Sequence, residues 1–199
     1  MKTIGLDLDN TVFNSEPLYK MGFKRFDRIY KYTPPKDWDL FKCYPSPVVY
    51  DILDLFNSDV VYKMPLLNKK YPEVIQNWQH KYDVKVLTSR KSEKTDAYFF
   101  GDIYRKKVSW VRLKTYEQIW NNGMYVPMDN IIQTNTYDKI DEIEKHNIDL
   151  VIDDGPKVIE GCLKNGVDCI MVSTAKTPYN HYLRNKVKWV KNLFEIKQL

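Results

Sequence analysis

The chain has 199 residues, 43% hydrophobic and 29% charged, with a formal net charge of +5, ordinary values for a soluble protein with one core and room for an insertion. No apolar stretch reaches the length of a membrane span and Met1-Lys2-Thr3 leads straight into apolar sequence, so a cytoplasmic protein with no membrane partner is expected. The positive charge is dispersed, and Cys43, Cys162 and Cys169 lack both the even count of a disulfide framework and zinc-site spacing, so they read as reduced packing residues.

The run Thr3-Ile4-Gly5-Leu6 reads as a buried strand, followed at once by Asp7-Leu8-Asp9-Asn10-Thr11. Side chains at i and i+2 of a strand share a side, so Asp7 and Asp9 emerge together at its carboxyl end. Carboxylates that close repel unless a cation or a shared proton compensates. A segment from Glu16 to about Tyr30 then has helical spacing, Thr33-Pro34-Pro35 breaks it, and Val48 to Phe56 carries a second helical pattern. The chain has 15 Tyr, 8 Phe and 5 Trp, and many of them fall between Phe13 and Tyr62, where Gly22 is the only glycine. That shift in composition marks a segment distinct from the rest.

From Tyr62 onwards the pattern alternates. Tyr71 to His80 reads as a helix, Val84 to Leu87 as a strand ending at Thr88-Ser89-Arg90, and Lys107 to Trp120 as a helix. The short basic cluster of Arg105, Lys106, Lys107, Arg112 and Lys114 reads as a solvated helix face, and no stable nucleic-acid partner is expected. Asn130 to Gln133 is a short strand, Asp138 to His146 a helix, and Asp149 to Ile152 an apolar strand ending at Asp153-Asp154-Gly155-Pro156. Pro156 to Lys164 is helical, Val167 to Val172 a strand, and Val187 to Ile196 a closing helix. Short apolar strands alternating with helices imply a three-layer α/β fold, a Rossmann-like parallel sheet covered on both faces. Ligands of such sheets bind beyond the carboxyl ends of the strands, where the polar clusters fall.

The clusters have complementary chemistry. Carboxylates suit a magnesium ion that also touches phosphate. Thr88 and Ser89 offer hydroxyls and backbone N–H groups to phosphate oxygens, and the same groups would cap a following helix. A lysine supplies a point charge for phosphate or for a carboxylate. Lys139 opens its helix and faces the site, whereas Lys145, nearer the next strand, should be remote; otherwise Lys139 is a surface residue paired with Glu142. These are the parts for phosphoryl transfer.

In order, Asp7-Leu8-Asp9-Asn10-Thr11, Leu87-Thr88, a lysine and Ile152-Asp153-Asp154 resemble the four motifs of the haloacid dehalogenase (HAD) superfamily of phosphohydrolases. The resemblance implies Asp7 as nucleophile, Asp9 as acid and base, and phosphate binding by Thr88, Ser89 and Lys139. It implies Mg2+ held by Asp7, the Asp9 backbone carbonyl, and one or both of Asp153 and Asp154. It also implies a HAD-like core over 1–14 and 65–199, with a small helical cap inserted after the first strand at 15–64. Asn10 stands where such motifs commonly have glycine, and asparagine tolerates left-handed backbone angles.

A more diffuse similarity to 5′(3′)-deoxyribonucleotidases runs through Lys107-Val108-Ser109-Trp110-Val111, Asp138-Lys139 and Thr177-Pro178-Tyr179-Asn180 ahead of Trp189. It implies a nucleoside monophosphate as the small phosphorylated substrate. Phe13, Phe23, Trp38, Phe41 and Tyr44 then include candidates for a ring that stacks on the base, or else form the insertion's own core. Trp110 and Trp189 read as packing residues. Arg90 and Lys91 are candidates for a second phosphate or sugar contact, with a solvated helix end as the other reading of Arg90. A different phosphometabolite, a nucleic-acid 3′-phosphate end, and a catalytically silent binding protein are the alternatives. An enclosing aromatic insertion argues against a nucleic-acid end, and the intact Asp7, Asp9, Thr88 and Asp153 against a silent protein. A homodimer stays open.

Overall fold

The computed structural model describes residues 1–91, 96–100, 105–134 and 136–197. Six strands form one sheet: β1 (Thr3–Leu6), β2 (Asp83–Thr88), β5 (Ile131–Gln133), β6 (Leu150–Asp153), β7 (Asp168–Val172) and β8 (Lys188–Val190). Their order is β5-β2-β1-β6-β7-β8, and every pairing is parallel. The remaining strands, β3 (Asp96–Phe100) and β4 (Arg105–Ser109), pair antiparallel as a separate ribbon.

The period of two along each strand builds the layers. Ile4, Leu6, Val84, Val86, Leu150, Ile152, Ile170 and Val172 point to one face. That face packs on α3 (Tyr71–Gln79) and α4 (Trp110–Asn121) through Tyr71, Ile75, Trp78 and Ile119. Leu87 and Val151 point to the other face, against Ile143 of α5 (Ile140–Lys145) and Val158 and Cys162 of α6 (Pro156–Asn165). Sheet and two helical layers make the α/β fold that the alternation of elements predicts.

Between β1 and β2 lie α1 (Glu16–Lys24) and α2 (Ser46–Asn57), packed on each other around Phe23, Tyr44, Val48, Val49 and Ile52. Gly22 makes the close crossing feasible: a Cβ there would run into the Ile52 side chain and approach its backbone nitrogen to 3.2 Å. The Tyr44 hydroxyl donates to the Thr33 carbonyl at 2.5 Å, tying the connection back onto the pair.

Several expected elements differ. The first helix stops at Lys24, with turns from 25 to 29 in place of the continuation to Tyr30. Lys107-Val108-Ser109 ends a strand, because Ser109 is the extended N-cap of α4 and accepts from the Arg112 N–H at 3.1 Å. Arg105, Lys106 and Lys107 therefore lie on β4 and not on a helix. The expected closing helix is β8 followed by a 3₁₀ turn, Leu193–Glu195, started by the Asn192 side chain accepting from Phe194 N–H. Val187, Val190, Leu193 and Ile196 recur every third residue and so imitate helical spacing, while serving two separate clusters. All three cysteines are free. Among the described residues no helix is long and apolar enough to cross a membrane.

Candidate active site

The turn after β1 brings the first two carboxylates to the sheet edge. Asp7 N–H still donates to the Ile152 carbonyl at 2.9 Å, continuing the ladder, and Val12 and Phe13 N–H both return to the Leu8 carbonyl at 2.8 Å. Asn10 closes this turn at φ 62°, the left-handed region. Its side chain accepts from Ser15 N–H and donates to the Tyr179 hydroxyl, both at 3.2 Å.

Lys139 links the carboxylates. It too has a left-handed backbone, φ 61°, at the N-cap of α5, which turns its side chain inwards. Nζ donates to Asp7 Oδ1 at 2.6 Å, Asp153 Oδ2 at 2.8 Å and the Leu87 carbonyl at 3.2 Å. An ammonium has three donors, and all three are used here. Lys139 therefore holds the two carboxylates in this arrangement, and it also lines the cavity on which they open. Lys145 lies outside the group, exposed and paired with Glu142.

Asp153 also accepts from Gly155 N–H at 2.7 Å through Oδ1. Beside it, Asp154 accepts from the Tyr179 hydroxyl on Oδ2 and from Thr11 Oγ1 at 3.5 Å on Oδ1, while Asn180 Nδ2 holds its backbone carbonyl at 2.8 Å. Asp7, Asp153 and Asp154 are all buried, and each offers a carboxylate oxygen within 4.8 Å of the others. Three carboxylates face one ammonium. Burial first, then the charge of Asp153, pushes the Asp7 carboxyl up to about 7 against the pull of Lys139. Burial, then the charges of Asp7 and Asp153, pushes Asp154 well above the carboxylate range. The Tyr179 hydroxyl is pushed up by burial and by Asp154. An all-oxygen donor set with surplus negative charge fits a divalent cation such as Mg2+.

These groups open on a cavity of about 340 Å³ that Asp9 also lines. Thr88 is buried and does not line it, accepting from Arg90 N–H at 3.3 Å through Oγ1. Ser89 does line it, with Oγ 2.7 Å from Thr134 Oγ1. Arg90 is not a solvated helix end: it is buried and bonded to Asp9.

Of the candidate aromatics only Trp38 lines the cavity, edge-on to Tyr179 with centroids 5.4 Å apart. Phe13, Phe23 and Tyr44 are buried packing residues, and Phe41 is exposed against Tyr50; none of the four lines the cavity. The spacing that makes an aromatic a candidate stacker also makes it core, and here core prevails. Arg90 and Lys91 line the cavity as well, and so do Tyr19, Leu53, Phe56, Asn57 and Tyr137, which sequence reasoning missed. Tyr19 had a usable signal, since it falls in the helical turn that immediately follows the Asp9 loop.

No protein-family model and no curated protein sequence matches this chain. Solved structures do. A haloacid dehalogenase-like hydrolase from Streptococcus pneumoniae superposes with a TM-score of 0.63 at 11% identity, covering 98% of this chain and 96% of its own. A HAD family hydrolase from Deinococcus radiodurans, with bound phosphate and sodium, gives 0.61 at 10% identity over 99% and 93%. A structure described as a predicted phosphatase from Clostridium acetobutylicum gives 0.60 at 16% identity over 98% and 95%. The fold is HAD-like along nearly its whole length.

Proposed function

We propose that the protein is a Mg2+-dependent phosphomonoesterase that hydrolyses a nucleoside monophosphate through an aspartyl-phosphate on Asp7. One observation carries the reading: Asp7, Lys139, Asp153 and Asp154 meet at the carboxyl ends of β1 and β6, on a cavity that also exposes Asp9. The likeness in fold to hydrolases, one of them with bound phosphate, supports the same chemistry.

Asp7 attacks phosphorus as the ester P–O bond breaks, and Asp9 gives its proton to the departing oxygen. Water then attacks the phosphoryl group, the bond to Asp7 breaks, and the Asp9 carboxylate takes the proton of that water. Lys139 keeps Asp7 aimed and bridges it to Asp153. A bound Mg2+ would be held by Asp7, Asp153 and Asp154, and would neutralise charge on the phosphoryl oxygens. Residues 15–64 act in this reading as a cap, since Tyr19, Trp38, Leu53, Phe56 and Asn57 reach the cavity from there. The cavity has the size of a small-molecule site, and its aromatic wall with the Asn57 amide suits a nucleobase.

The test is a panel of nucleoside monophosphates and sugar phosphates offered to the purified protein with Mg2+. Nucleotides should be preferred, a chelator should abolish turnover, and Asp7→Asn should lower it by roughly 10³-fold or more. Activity that survives in Asp7→Asn overturns the covalent mechanism. Equal rates across the panel overturn the nucleotide assignment alone.

A further inference from the structure

Arg90 follows the end of β2 with its side chain 1% exposed. A guanidinium does not shed its proton at working pH, so a buried one needs fixed partners. Nε donates to Asp9 Oδ1 at 3.2 Å and Oδ2 at 3.1 Å, Nη2 to Oδ1 at 2.5 Å, and Nη1 to Gln118 Oε1 at 2.6 Å. Phe13 and Tyr62 lie against the guanidinium, with ring centroids 5.8 and 5.3 Å away. Gln118 is itself pinned, donating to the Val61 and Met64 carbonyls at 3.4 Å each. The Arg90 backbone is tied at both ends, its N–H to Thr88 Oγ1 at 3.3 Å and its carbonyl to Gln133 Nε2 at 3.4 Å. Both residues line the cavity, and Asp9 is much the more open of the two, its side chain 26% exposed against 1% for Arg90. So rigid a fork has little freedom to follow a ligand, but it can aim the carboxylate it holds.

We propose that Arg90 is a positioning residue for proton transfer by Asp9 and makes no substrate contact that sets affinity. The inference rests on the acid–base role proposed above for Asp9. Nη2 donates to Oδ1 alone while Nε is shared between Oδ1 and Oδ2, so Oδ2 is the less bonded oxygen and the proposed transfer of a proton runs through it. In the first step that proton moves to the ester oxygen as its bond to phosphorus breaks and the bond from Asp7 forms. In the second, the emptied Oδ2 receives a proton from the attacking water as the Asp7–phosphorus bond breaks.

Leaving-group dependence separates this role from a substrate contact. An alkyl phosphate needs the proton as its oxygen departs, whereas 2,4-dinitrophenolate leaves without it. Single-turnover release of the alcohol should fall roughly 100-fold in Arg90→Lys for a nucleoside 5′-monophosphate, with half-saturation changed less than about twofold. Release of 2,4-dinitrophenolate should fall less than about fivefold, because only proton transfer has been disturbed. Gln118→Met keeps the volume and removes one acceptor; it should give the same split at about 10-fold, and it decides the matter if Arg90→Lys does not fold. The double variant Arg90→Lys/Asp9→Asn should be no slower than Asp9→Asn, since the two residues act as a unit. A raised half-saturation with an unchanged rate, equal losses on both esters, or additive losses in the double variant would overturn the proposal. If Asp9→Asn alone lacks the leaving-group split, the acid–base reading of Asp9 fails first.

Discussion

Tyr179 sits between Asn10 and Asp154, donating to the carboxylate while accepting from the amide, with the Trp38 ring edge-on to it. Outer partners of this kind fix the orientation of a metal-binding carboxylate. Tyr179→Phe keeps the ring and its Trp38 contact but frees Asp154 Oδ2. It should weaken Mg2+ binding by about 10-fold in titration calorimetry, with little change in melting temperature. At this scale the carboxylates were readable from position alone, because a strand followed by Asp-x-Asp sends both side chains to one side. Lys139 was readable because it opens a helix. Arg90 and Gln118 were not: their bond joins residues 28 apart through the packing of α4 on the strand ends. A polar side chain inside the buried Val111, Thr115, Ile119 stripe was the available hint.

The pairing of α1 with α2 depends on Gly22. Alanine there would gain about 1 kcal/mol of helix propensity but would overpack Ile52 at a cost of roughly 1–3 kcal/mol. A net loss of about 1 kcal/mol should lower the melting temperature by roughly 2–4 °C for a chain of this size. An unchanged or raised melting point would mean that Ile52 moves aside freely. Five of the six sheet strands were legible because each is a short apolar run. The β3–β4 ribbon was not, since Arg105-Lys106-Lys107 carries no apolar alternation to mark a strand. The last strand was hidden by its three-residue repeat. Of the helices, α3 and α6 came within a residue or two, because proline opens both and an apolar stripe runs along each.

For the whole molecule, the crowded carboxylates make stability depend on pH and on cations together. The folded Asp7 carboxyl is raised from 3.8 to about 7, so between those values the folded state holds more protons than the unfolded one. Its contribution to stability is present at acid pH and is lost as pH rises towards 7. Lys139, raised by the same pair of aspartates, stays charged throughout. A bound divalent cation replaces the proton, so the rise in melting temperature on adding Mg2+ should be larger at pH 8 than at pH 5.5. A rise that is equal at both pH values would separate the cation from these carboxylates. The strand order has a further consequence, one of timing. β1 is made first yet lies in the middle of the sheet, between β2 from residue 83 and β6 from residue 150, and Asn10 meets Tyr179 only 169 residues later. Contacts so distant in sequence close slowly. Ile4 and Leu6 therefore have both neighbouring strands only once β6 has been made. The strand that leads into Asp7 keeps one edge unpaired until β6 emerges, and an unpaired edge is exposed to aggregation.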